Sequence, residues 1–344
     1  MLFLYKTPGF RYNIRMNIYG IGNPLIDYLV MVDDKDISNL GLFKGTMNLI
    51  DEAKRKEILE YIRKKDISYN CGGSCPNTMV TLKSLGIDNV TLAGGVGKDE
   101  HAEMYRNRLS SLGLKDELVG NDAPTGTSII LVTEDRERTM CTYLGANTRY
   151  DDKDVNIESA RNADLFHFTG YMWDTEPQKR AIRKVLEEKK KHGFLISFDV
   201  ADPFAVGRYR QTFIDLIKEY ADIVFANSEE AHFLMDNYDP KDCAKSLGKL
   251  CRTAIVKNGK RGSYISHEGV IYDIPVYGAV NPVDTTGAGD TYAAGFLYGI
   301  AKGRDVVTSG KMASFLAGEI ISQLGAQFTP EKTQELRRSL ENDF

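Results

Sequence analysis

"NPVDTTGAGDTYAAGF", residues Asn281 to Phe296, sets a glycine-rich turn against the start of a helix built from small and apolar residues. Gly287 and Gly289 leave bare backbone where a ligand can approach closely. A helix that begins there has N–H groups without intrahelical partners converging on one point, and its macrodipole adds partial positive charge. Such a corner suits an anion, in particular a phosphoryl group in transfer. Asp290 falls in the first helical turn beside that corner, where a carboxylate can take the proton of a hydroxyl attacking phosphorus. The plainer reading is that Asp290 only favours its helix N-terminus and the glycines only make a turn. Spacing alone leaves both readings open.

The fold around this stretch follows from the rhythm of the rest of the chain. "NIYGIGN" reads as a strand entering a tight turn, "VTLAGGVG" as a buried strand, and "DEAKRKEILEYIRKK" as a charged helix with Ile58, Leu59 and Ile62 on one face. "PNTMVTLKSLG" has Pro76 near its start and Gly86 at its end, the usual helix asymmetry. "HAEMYRNRLSSLG" is a helix ending at Gly113. From residue 164 the short apolar strands "DLFHFTG", "FLISFDV", "DIVFAN" and "TAIVKNG" alternate with helical patterns, and two helices, at about 288–302 and 305–323, follow the opening motif. Such alternation predicts an α/β fold with a mainly parallel sheet covered on both faces. "LIDYLVMVDD" with "GTMNLID", and "GTSIILVTEDRERTMCTYLGAN" with its turn at "EDRER", break the rhythm and read as antiparallel strands. They predict a small β-sheet, from about residues 25–50 and 124–147, appended to a single domain spanning 16–344. The periodic pattern begins at Asn17, so residues 1–15 are expected to be a disordered extension with Met16 as the natural start.

Composition narrows the function. Of the 344 residues 42% are hydrophobic and 27% charged, ordinary globular values. The net charge is −4 with no long block of one sign, which disfavours nucleic acid as the partner. No apolar run approaches the roughly 20 residues of a membrane helix. Cys71, Cys75, Cys141, Cys243 and Cys251 are scattered without metal-site spacing, as in a cytoplasmic protein with reduced thiols.

Other nucleotide-binding patterns fail. No Gly-Lys pair is followed by Ser or Thr, so a P-loop is absent, and so is the His-Arg-Asp of protein kinases. Gly20 and Gly22 supply two glycines of a dinucleotide fingerprint, but Leu25 stands where the third is needed.

"DTTGAGDTYAAGF" resembles the C-terminal signature of the ribokinase-like (PfkB) carbohydrate kinases. "NCGGSCPNTMVTLKSLG" resembles their N-terminal signature, "NSEE" their N-x-x-E pattern, and "VKNGKRGSYI" the strand-turn-strand that lies along the nucleotide. The likeness runs from about Ile18 to Phe328. Within the family, "GIGNPLIDYLVMVD", "RTMCTYLGAN", "SFDVADPFAVGRYR" and "ADIVFANSEEA" resemble the adenosine kinases and their bacterial relatives. The region after residue 140 departs from the animal adenosine kinases in loop length and in the residues that would frame the base.

The resemblance implies a three-layer α/β/α body with a small β-sheet lid, ATP and Mg²⁺ as cofactors, and a nucleoside or sugar as substrate. It implies Asp290 as catalytic base and the Gly287–Ala288–Gly289 backbone as the γ-phosphate anion hole. Asn23, Asp27, Gly72, Gly73 and Asn77 are carried over to the sugar pocket, with Arg138 of the lid hairpin reaching the phosphates or lying as a solvated turn residue. Asn227 and Glu230 would organise Mg²⁺ through water, though the pair also has the form of a helix cap. Lys257, Gly259, Gly262 and Thr286 would line the nucleotide. Asp284 and Thr286 resemble the family's monovalent-cation site, with K⁺ as the candidate ion. The readings weighed are an ATP-dependent adenosine kinase making AMP, a kinase of ribose, fructose or a related sugar, a non-catalytic nucleotide- or sugar-binding module, and a nicotinamide-dependent oxidoreductase. The resemblance implies a monomer or a homodimer.

Overall fold

Residues 16–277 and 282–344 are described by a computed structural model. The expectation for residues 1–15, and Asn281 of the opening motif, lie outside the described residues. A nine-stranded sheet is built from β1 (Asn17–Ile21), β5 (Asn89–Val96), β6 (Lys115–Gly120), β9 (Leu165–Thr169), β10 (Leu195–Asp199), β11 (Ile223–Asn227), β12 (Thr253–Lys257), β13 (Ser263–His267) and β14 (Val270–Ile274). The order is β14-β13-β12-β11-β10-β9-β1-β5-β6. The pairs from β12 through to β6 are parallel, and β13 and β14 add an antiparallel edge.

Each central strand feeds two cores, because successive side chains point to opposite faces. In β11, Ile223 and Phe225 join one buried cluster while Val224 and Ala226 join the other. Helices Ser74–Ser84, Ala288–Ala301 and Val306–Ile320 cover the first face. Helices Glu176–His192, Pro203–Glu219, Ser228–Met235 and Pro240–Leu247 cover the second. The result is a three-layer α/β/α body of the kind the resemblance implies. The helix ends follow local chemistry: Asp99 caps Glu100–Leu112 through the Ala102 N–H, and Gly113 ends it in the left-handed conformation at φ 66°.

A second sheet has the order β3-β8-β7-β2-β4, from β2 (Leu25–Met31), β3 (Met47–Leu49), β4 (Ile67–Gly72), β7 (Gly126–Val132) and β8 (Arg138–Tyr143). Its pairing is mixed rather than antiparallel throughout. β7–β8 and β2–β4 are antiparallel, whereas β2–β7 and β3–β8 are parallel. The reason is topological: between β2 and β7 the chain passes through β5 and β6 of the large sheet, and a long crossover returns a strand parallel to its partner. β4, which leads directly into the Gly72–Gly73 pair, joins this sheet as its fifth strand.

Candidate active site

The carboxyl ends of the parallel strands set the site, as in open α/β sheets generally. Asn23 follows β1, Asp199 ends β10, and Asn227 and Lys257 end β11 and β12 opposite one another in register. Above them lie the N-termini of two helices, Ser74–Ser84 and Ala288–Ala301.

Asp290 sits where these helix starts meet. Ser74 Oγ donates to Asp290 Oδ1 at 2.6 Å and Asn77 Nδ2 donates to Oδ2 at 3.0 Å. Thr78 Oγ1 donates to the Asp290 carbonyl at 3.2 Å. The glycine pair before Ser74 makes this approach possible. Gly73 has φ 104° and its missing Cβ would lie 2.1 Å from the Asn23 carbonyl oxygen. At Gly72 a Cβ would lie 2.1 Å from Asp27 Oδ2, so Asp27 of β2 rests its carboxylate directly on Gly72. Burial pushes Asp290 up to about 6, with the Asp199 charge adding to it against the hydrogen bonds from Ser74 and Asn77. Burial and then the Asp290 charge push Asp27 up to about 7, against the Arg138 guanidinium. The Asp290 charge thus reaches Asp27, and each carboxylate is raised towards neutral pH.

Gly287 takes the left-handed conformation at φ 72°, with Ala326 Cβ 2.6 Å from where its own Cβ would stand. The helix beyond it has no side-chain cap. Ala288 N–H makes a long 3.3 Å bond to the Thr285 carbonyl, and the N–H groups of Gly287, Gly289 and Asp290 reach no acceptor among the described residues. Lys257 Nζ lies 3.2 Å from the Cβ position of Gly289 and 3.1 Å from Asp199 Oδ2. Burial works against the Lys257 charge, but the Asp199 and Glu230 carboxylates outweigh it and raise its pKa. A fixed cation therefore stands beside open helix N–H groups, an arrangement able to hold phosphoryl oxygens.

Asn227 and Glu230 form a full capping box: Glu230 N–H donates to Asn227 Oδ1 at 2.8 Å and Asn227 N–H to Glu230 Oε2 at 2.7 Å. Asn227 Nδ2 donates to the other Glu230 oxygen at 2.6 Å. Glu230 is 3% exposed, and burial pushes it up to about 7 against Lys257. With both oxygens engaged, Glu230 suits a metal's water shell rather than direct ligation. No group of three or more His, Cys, Asp and Glu side chains placed to hold a metal occurs among the described residues. That donor set fits Mg²⁺ carried by nucleotide phosphates and waters, which it retains readily.

Arg138 opens β8 instead of lying in the turn, and its guanidinium pairs with Asp284, a side chain 1% exposed. Asp284 also accepts the Thr286 N–H at 2.6 Å and the Gly325 N–H at 2.8 Å. Burial would raise its pKa; the two N–H groups and Arg138 lower it. The solvated-turn reading of Arg138 is thus corrected. Asp284 is thus paired with Arg138, and Thr286 lies against it through its backbone N–H and its side chain.

Asn77 points to Asp290, and its oxygen accepts from Gln327 Nε2 at 3.2 Å. Gly262 owes its lack of Cβ to the Ile274 carbonyl, 2.1 Å from that position, while Gly259 has φ 53° and open space around it. Met172 and Trp173 belong to the core. Ser74 and Asp199 were not singled out from sequence, although both lie inside the motif stretches "NCGGSCPNT" and "SFDVADP". All five cysteines are free, and no described helix is long and apolar enough to cross a membrane.

Known proteins place the chain. The model of the pfkB family carbohydrate kinases matches residues 42–333. The adenosine kinase of Saccharomyces cerevisiae is 28% identical over 333 residues, covering 91% of this chain and 96% of that protein. The adenosine kinase structure from Sinorhizobium meliloti is 32% identical with a TM-score of 0.86, covering 94% of this chain and 99% of that one. A probable sugar kinase structure from Rhizobium etli is 31% identical with a TM-score of 0.87, covering 94% and 98%.

Proposed function

The chain belongs to the pfkB family of carbohydrate kinases, phosphotransferases with an alcohol group as acceptor, and we propose that it transfers the γ-phosphoryl group of ATP to the 5′-hydroxyl of adenosine, yielding AMP. One observation carries this reading: the Asp290 carboxylate, held by Ser74 and Asn77, stands at an uncapped helix N-terminus with Lys257 beside it. Asp290 takes the proton of the attacking hydroxyl as the new O–P bond forms and the bond to the ADP leaving group breaks. The Gly287–Gly289 backbone and Lys257 hold the charge on the phosphoryl oxygens, because the transition state is loose and catalysis rests on positioning and electrostatics. Asn227 and Glu230 would hold, through its waters, the Mg²⁺ that comes with ATP, and that ion would supply charge neutralisation to the phosphates.

Asp27 accepts from substrate hydroxyls, with Asn23 and the Gly72–Gly73 backbone completing the acceptor pocket. Adenosine kinases that align along nearly the whole chain support adenosine as the acceptor, and the probable sugar kinase that aligns as far keeps a free sugar as the second reading. Measuring ATP consumption with adenosine, inosine, ribose and fructose tests it: preference for ribose or fructose would give the sugar-kinase reading, and no turnover the non-catalytic one.

The carboxylates also set a pH dependence. Asp290 and Asp27 act ionised, and their folded values are about 6 and about 7. Acceptor kcat/KM is therefore expected to rise with pH through this range and level off above it, the two groups titrating as a pair. A profile flat from about pH 5 to 8 would remove Asp290 as base.

A further inference from the structure

Thr175-Glu176-Pro177-Gln178 has the spacing of a capping box, in which a Thr hydroxyl accepts the N–H three residues on and the Gln side chain returns to the Thr N–H. The chain completes such boxes at Asp33/Asp36, Asp151/Asp154 and Asn227/Glu230. At Thr175 it does not: the helix Glu176–His192 has no side-chain cap. The Thr175 hydroxyl donates instead to Gln178 Oε1 at 2.9 Å, and Gln178 Nε2 donates to Asn23 Oδ1 at 2.6 Å, 155 residues away. Gln178 is fully buried and Asn23 nearly so. A local cap has been given up for a link into the site.

The link fixes an orientation. An amide group presents a different chemistry at each end, and a neighbour that claims one end decides what the other offers. In the arrangement observed, Thr175 donates to the oxygen of Gln178 and Gln178 turns its NH₂ to Asn23. Asn23 must then turn its oxygen to Gln178, and its own NH₂ meets no partner among the described residues. The Asn23 backbone carbonyl occupies the space of the Gly73 Cβ, so Asn23 belongs to the Gly73 turn, and Gly73 precedes the Ser74 that holds Asp290.

We propose that Gln178 is a positioning residue that locks Asn23 as a hydrogen-bond donor, so that Asn23 recognises an acceptor oxygen or nitrogen on the substrate to be phosphorylated. The proposal rests on the kinase reading above. It acts on binding of the alcohol substrate, not on phosphoryl chemistry or ATP. Thr175 also lines a cavity of about 250 Å³ with Leu49, Ile50, Tyr143, Gly145 and Asp174, so the chain Thr175–Gln178–Asn23 runs from that cavity to the acceptor pocket.

The test is Gln178→Met, which keeps the length and loses both hydrogen bonds. The acceptor KM is expected to rise about tenfold through an amide now free to turn over, with kcat within twofold and KM for ATP unchanged. Thr175→Val, a milder change outside the acceptor pocket, is expected to raise the same KM about threefold, and it serves where Gln178→Met fails to fold. An unchanged acceptor KM in both variants, or a parallel loss in kcat and in ATP binding, overturns the proposal. A nitrogen-15 NMR readout is independent of activity. The Gln178 side-chain amide proton, assigned by its absence in Gln178→Met, is expected downfield in the wild-type protein and shifted upfield in Asn23→Ala; no shift overturns the link. Absence of any acceptor turnover would sink the kinase reading alone, and the NMR result would still decide the link.

Discussion

Asp290→Asn is expected to lower kcat about 10²- to 10⁴-fold, the usual worth of general-base help, while acceptor binding changes little. Asparagine keeps the shape and can still accept from Ser74, but it cannot take a proton at neutral pH. The substitution sets an NH₂ against Asn77 Nδ2, and Asn77 is not free to turn because its oxygen holds Gln327 Nε2 at 3.2 Å. Loss of activity must therefore be separated from loss of fold. Stability provides the means. The folded pKa of Asp290, about 6, lies above its ordinary value of 3.8, so the native state resists its ionisation. Its contribution to stability is present below the unfolded value and is lost as pH rises through about 6. The asparagine variant lacks this loss. Its Tm should gain on that of the wild-type protein as pH rises from about 5 to about 7, in the same samples that have lost turnover. A variant with near-wild-type kcat would remove Asp290 as the base.

How much of this was legible in the sequence differs between fold and site. The strands β9 to β12 declare themselves because each is buried on both faces and reads as an unbroken apolar run. β6 and β14 do not, since each lies at a sheet edge and mixes exposed with buried positions. The helices Pro240–Leu247 and Pro330–Asn342 escaped for a related reason: one is only eight residues long, and the other follows the last motif without a strand to announce it. In the site, backbone geometry was readable: Gly287 takes the left-handed conformation that a glycine-rich turn before a helix suggests. Residues that work through distant partners were not. Arg138 reads as a charge beside a turn until Asp284 is brought against it. Ser74 reads as a helix start until Asp290 arrives from 216 residues away. Local signals say that a group is present; only the fold says what it faces.

Lys257 puts the same point to its hardest test, because its effect on stability and its effect on turnover have different causes. Lys257→Met leaves Asp199, which the lysine holds at 3.1 Å, and Glu230 buried without their cation. Removing one member of a buried ion pair typically costs about 3–5 kcal/mol. The cost must depend on pH. Glu230, already at about 7, loses the charge that favours its ionisation and moves to a higher folded value. A carboxylate raised in the folded state keeps its contribution at low pH and loses it as pH rises through the folded value. The Tm deficit should thus be greatest near pH 8 and shrink towards about pH 5.5; a deficit equal at both would sink the account. Turnover should also fall, on the order of 10²-fold, from the charge missing beside Gly289. Adding Asp199→Asn separates the two. It removes one stranded carboxylate and should return part of the lost stability, a coupling expected between residues in contact. It returns no positive charge to the phosphoryl site, so kcat should stay low. Recovery of both together would mean that Lys257 serves the fold alone.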